Sequence, residues 1–156
     1  MADSRDPSFP QRLAPEPLLS DKKRPSWGQL ARRGGDRISV LFAELRTRLA
    51  DIPGLIEELQ FDNDSGEWEP RYRVGDRTLF RLQISPGRLD ATAEFSAAEV
   101  IRLLASPRLS ARIRQWLQSV SSDNEGVQLR ARISTDGDAS SFAALAVKLS
   151  RLMTEG

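Results

Sequence analysis

The sequence has no cysteine and no histidine among its 156 residues. The first absence excludes disulfides, zinc–thiolate centres and thiol nucleophiles. The second removes the commonest general base and the commonest metal ligand. Any catalysis is left to carboxylates, hydroxyls, Lys22, Lys23, Lys148 or the single tyrosine, Tyr72. No phosphate-binding loop, dinucleotide-binding glycine pattern or nucleophile elbow is present, and no metal or cofactor is expected. No apolar run approaches the roughly 20 residues of a membrane span, and the amino-terminal stretch has no hydrophobic signal core. A cytoplasmic domain with no membrane partner is the expectation. Charge of one sign is missing too: the formal net charge is +1. No global field therefore draws the chain to a polyanion, which disfavours nucleic acid as a partner without excluding it.

What the chain does have is arginine, in place of almost all lysine. The guanidinium group favours bidentate and stacked contacts over point-charge contacts. Prolines are concentrated at the start: Pro7, Pro10, Pro15, Pro17 and Pro25 lie among charges and sparse, aperiodic apolar residues. Residues 1–36 read as a flexible Pro- and charge-rich arm, with Trp27 and Leu30 as a short amphipathic anchor. Residues 37–156 read as one domain, long enough to bury a core without staples.

Within that domain, Ile38, Leu41, Phe42, Leu45 and Leu49 recur at helical spacing, with Asp36 as the expected N-cap. Residues 55–61 fit a strand or a helical turn. Asp62 to Gly66 is a turn by composition. Glu67 to Val74 alternates strictly: Trp68, Pro70, Tyr72 and Val74 on one side, Glu67, Glu69, Arg71 and Arg73 on the other. Gly75-Asp76 suits a two-residue hairpin loop. Phe80, Leu82 and Ile84 share one side of the next strand, and Leu89, Ala91 and Ala93 one side of a third. Pro70 cannot donate to a ladder, so its strand is expected at an edge or bulged there. Ser96 and Glu99 form a capping box that opens a helix. Ser106-Pro107 reads as the start of a second, carrying Leu109, Ile113, Trp116 and Leu117. Val127 to Ile133 is another alternating strand. Residues 134–141 read as a turn, and Phe142 to Met153 as a last helix. Strands grouped in this way predict an α+β fold: an antiparallel sheet of four to five strands with helices packed on one face.

At Tyr72 to Leu82, YRVGDRTLFRL, the chain resembles the bacterial family known as domain of unknown function 3788. Gly66-Glu67-Trp68, Ser85-Pro86-Gly87, the block from Glu125-Gly126-Val127 to Lys148-Leu149, and the Pro-rich stretch before Trp27 extend the likeness over most of residues 25–150. The sequence departs from that pattern where Glu67 separates Gly66 from Trp68, and where the third strand's aromatic is shifted or replaced by Leu89. The family is uncharacterised, so the resemblance implies a fold and no activity.

Two sets of side chains are candidate sites. Trp68, Tyr72, Phe80 and Trp116 share the inward parity and are expected either as core or as the lining of an apolar ligand pocket. Arg71, Arg73 and Arg81, with Arg130 and Arg132, share the outward parity. If their strands join one sheet, five guanidinium groups line its outer face, partly neutralised by Glu67, Glu69 and Asp90. Asp62 to Glu67 resembles a calcium loop, but the glycine and the glutamate stand at the wrong positions. The composition favours a non-enzymatic domain that binds a small molecule or protein partner between its sheet and helices. The alternative is an interaction module whose arginine face contacts nucleic acid or an acidic protein. A further alternative is a hydrolase or isomerase using carboxylates and Tyr72.

Overall fold

The computed structural model describes residues 23–123 and 126–154. Residues 1–22 lie outside it, and with them most of the expected arm, as does Glu125 of the expected turn. In chain order the elements are α1 (Trp27–Arg32), α2 (Asp36–Leu49), β1 (Ile56–Asp62), β2 (Glu67–Val74), β3 (Arg77–Ser85), β4 (Arg88–Phe95), α3 (Ala97–Leu104), α4 (Ala111–Gln118), β5 (Ser121–Asp123), β6 (Gly126–Arg132) and α5 (Asp136–Thr154). The strands form one sheet in the order β1-β2-β3-β4-β6-β5, antiparallel throughout. Five strands are long, and β5 adds three residues at the β6 edge. The architecture is the expected α+β one. No helix among the described residues is long and apolar enough to cross a membrane.

Alternation gives the sheet two unlike faces. Register aligns Tyr72, Phe80, Ala93 and Leu129 in one transverse row, and Leu82, Ala91 and Ala131 in another. All seven are buried. The alternate residues make the opposite row: Glu58, Arg71, Arg81, Thr92 and Arg130. The helices pack on the apolar face: α5 against α2, α4 and β3, α2 against β4, and α3 and α4 against β6. Each fully buried Leu, Ile or Phe there contributes roughly 1.5–3 kcal/mol.

Residues 26–36, expected in the arm, are packed on this body. Leu30 is buried in the core, and Trp27 stacks on Phe42 of α2, with ring centroids 6.4 Å apart. Gly34 sits where a Cβ would lie 2.4 Å from Ile38 Cγ2, and its carbonyl accepts from the Gly87 amide at 3.0 Å. That contact ties the α1–α2 junction to the β3–β4 turn.

Several boundaries differ from the sequence reading. The N-cap of α2 is Gly35, at φ 93°, and Asp36 is the first helical residue; that backbone conformation favours glycine. Ser106 does not open a helix. Its hydroxyl accepts from Lys148 Nζ at 2.9 Å, and α4 begins at Ala111, where Ser110 accepts from the Ile113 amide at 3.2 Å. Residues 136–141, read as turn, are the first turns of α5, whose Asp138 amide donates to Thr135 Oγ1 at 3.1 Å. Pro70 is in an interior strand without a bulge of its own. The missing amide acts differently: β2 pairs with β1 from Glu67 to Arg73 but with β3 only from Arg71 onward. The bulge lies between Tyr72 and Arg73 and leaves Leu79 without a partner on β2.

Candidate functional site

The four aromatic candidates do not form one pocket. Tyr72 stacks on Phe80 at 4.7 Å, Phe80 meets Phe142 edge-on at 4.9 Å, and Phe142 meets Trp116 at 6.2 Å. This is a continuous ring stack inside the core, and Tyr72, Phe80 and Trp116 are at most 5 % exposed. Trp68 stands apart, half-buried, with its ring edge-on to Phe61 at 5.7 Å and the Arg24 guanidinium 5.8 Å from its centroid.

Tyr72 also lines a recess. An open groove of about 410 Å³ between α2 and β1 is lined by Ala43, Arg46, Leu49, Leu55, Glu57 and Tyr72. Arg46 makes two bonds to Glu57, at 3.0 and 2.7 Å, and Tyr72 donates to Glu57 Oε2 at 2.7 Å. The same guanidinium lies 4.2 Å from the Trp27 centroid. Burial pushes the Glu57 carboxyl up, but the bonds from Arg46 and Tyr72 outweigh it and hold the group below its ordinary value. Burial, then the Glu57 bond, raise the Tyr72 phenol. Glu57 is thus committed to Arg46 and the Tyr72 proton to Glu57, so neither is a free base in this arrangement. Arg46 and Glu57 were missed by sequence reasoning. One lies on a helix and the other on a strand, and their spacing carries no local signal.

The opposite face of the sheet carries the five arginines. No helix or strand among the described residues lies over it. Arg73 donates to Glu58 at 3.2 Å and to the Gly75 carbonyl at 2.6 Å. Arg71 donates to Gln60 at 2.8 Å and stands 3.8 Å from Asp62. Arg81 stands 3.8 Å from Glu69. The Nε atoms of Arg71 and Arg81 and Oε1 of Glu69 are buried with no hydrogen-bond partner. Glu69 lies on the outward parity with Glu67. It is nevertheless buried, at 4 % exposure. Burial, then the charge of Asp62, push its carboxyl above the ordinary value, against the opposing pull of Arg81. Glu67 is exposed and pairs with Arg33 of the chain after α1 at 2.9 Å. Glu69 and Tyr72 project to opposite sides of β2, so they share no reaction centre.

At the far end of this face, Arg88 and Arg132 both reach Asp90, at 3.3 and 3.6 Å. Arg130, exposed on β6, has no carboxylate within 4.0 Å among the described residues. Arg88, the first residue of β4, is the residue that sequence reasoning missed here; it shares the parity of Asp90 and Thr92. No protein-family model, curated protein or solved structure matches the chain, so the functional reading rests on this geometry.

Proposed function

We propose that the chain is a non-enzymatic interaction domain whose uncovered sheet face docks an acidic protein surface. The observation that supports this reading is the transverse row of Arg71, Arg81 and Arg130 on a face that no described element covers. Flat antiparallel faces of this kind ordinarily stay polar and solvated; here the polar groups are guanidinium forks, which suit carboxylates. Interspersed Glu58, Asp62, Glu69, Asp90 and Glu94 break the positive field into patches. Patches match discrete carboxylates on an acidic protein surface and disfavour a continuous phosphodiester backbone. The closed aromatic stack argues against a ligand held between sheet and helices. The likeness to domain of unknown function 3788 enters this proposal only as an expected fold.

Retention of the full chain on immobilised polyglutamate, in parallel with duplex DNA, tests the reading. The wild type should be held on polyglutamate at low salt and released as salt rises. The variant Arg71→Glu with Arg130→Glu should flow through, while Arg48→Glu, on the opposite side of the molecule, should be retained. Equal loss in Arg48→Glu, or no retention at low salt, rejects it; stronger retention on DNA moves the function to nucleic acid.

A further inference from the structure

We infer that the corner made by Arg88, Arg130 and Arg132 around Asp90 binds a doubly charged oxyanion, the chemistry of a phosphomonoester. This deepens the preceding proposal and rests on it for the use of this face as the contact surface. The register places the groups: Asp90 lies opposite Arg132, Thr92 lies opposite Arg130, and Arg88 follows at the start of β4. They line an open cleft of about 450 Å³ whose four lining residues are Arg88, Asp90, Arg130 and Arg132. One carboxylate serves two guanidiniums there, at 3.3 and 3.6 Å, and the third has none. Three positive charges against one negative leave the corner two charges short of neutrality.

The corner is also organised and reachable. Asp90 is only 16 % exposed at its side chain, so it holds Arg88 and Arg132 from beneath, while their own side chains are 51 % and 56 % exposed. The short β5 pairs with β6 only from Gly126 to Gln128, so the Arg130–Arg132 stretch is a sheet edge among the described residues. The flanking outward residues of β3 are Gln83 and Ser85, opposite Asp90 and Arg88, and neither repels an anion. Elsewhere on the face each arginine has a carboxylate within 4.0 Å. A doubly charged oxyanion meets the charge deficit, and its oxygens suit the forked donors of Arg130 and Arg132. A monoanion meets half of it.

The test is a titration of the nitrogen-15-labelled full chain with inorganic phosphate at constant ionic strength, reading the arginine Nε–Hε resonances. Arg130 and Arg132 should shift together and saturate, Arg48 should not move, and acetate should produce no saturating shift. Arg130→Gln and Arg132→Gln should each weaken binding at least fivefold while leaving the remaining spectrum in place. A phosphoserine peptide and a sugar phosphate separate two sources of the same chemistry: a peptide bound at least tenfold tighter than phosphate assigns the group to a protein partner, and equal binding of all three assigns it to a free metabolite. Linear shifts shared by Arg48, or acetate acting like phosphate, overturn the inference. So does polyglutamate retention without any corner shift, which leaves the docking reading standing. Phosphate saturation without polyglutamate retention keeps this site and removes the acidic-protein reading.

Discussion

Arg71 and Arg81 stand directly opposite each other across β2 and β3. Like charges in that position destabilise a sheet, by roughly 0.2–1 kcal/mol. The carboxylates that offset them, Asp62 and Glu69, are each 3.8 Å away, beyond hydrogen-bond distance. The pairing on the outward face is thus mildly unfavourable, and a docked carboxylate of the kind proposed above would offset it.

Glu69 sharpens this point through pH. Its carboxyl is raised by burial and by Asp62, so the folded chain holds that proton to higher pH than the unfolded chain. Stability from this group is therefore greatest at low pH and declines as pH rises from the unfolded carboxylate value through the folded one. Glu69→Gln removes the effect. Thermal melts should show the variant gaining on the wild type as pH rises from about 4 toward neutrality. A difference constant across that range would contradict the assignment.

Tyr72→Phe should cost about 1.5–3 kcal/mol, the worth of a hydrogen bond to a charged group. The ring keeps its stack on Phe80, so packing does not confound the measurement. Because Glu57 is held below its ordinary value, its bonds contribute above the unfolded carboxylate pKa and are lost as pH falls through the folded one. Urea titrations should show the Tyr72→Phe penalty shrinking in acid.

Gly34→Ala should destabilise by about 1–3 kcal/mol, because the added Cβ overpacks the core. It would lie 2.4 Å from Ile38 Cγ2 and 3.1 Å from Ile84 Cγ2. Undocking of α1 exposes Trp27, so a red shift in tryptophan emission should accompany the loss. An unshifted spectrum with unchanged stability would show that the junction relaxes freely.

Ser110→Ala should cost about 1 kcal/mol as the loss of an N-cap. Ser106→Ala, which removes only the Lys148 contact, should cost less than about 0.5 kcal/mol. The reverse ranking in denaturant would restore Ser106 as the start of that helix.

The two faces of the sheet were legible because alternation is local: Arg71, Arg73 and Arg81 fall on the outward side by counting alone. What parity cannot give is distance along a strand. Trp68 and Tyr72 share a side, but four residues of strand separate them by about 13 Å, so the expected aromatic pocket separates into a core stack and a half-buried Trp68 packed edge-on to Phe61. The start of α5 was illegible because Asp136-Gly137-Asp138 has the composition of a turn. Tertiary bonds decide it, with Arg112 reaching Asp138 Oδ1 at 3.0 Å and the Ser134 amide reaching Oδ2 at 2.9 Å. The corner was half legible. Arg130 and Arg132 follow from parity, whereas the neighbouring of β4 and β6 is a long-range pairing that places Arg88 and Asp90 beside them.

The most direct test of the arginine face as the contact surface is a backbone chemical-shift map of the full chain with soluble polyglutamate. The predicted perturbations fall on the outward row, at Arg81, Thr92 and Arg130, and spread toward Arg88 and Arg132, with the groove residues Leu49, Leu55 and Tyr72 unmoved. Perturbations centred on that groove, with the outward row silent, would contradict the account.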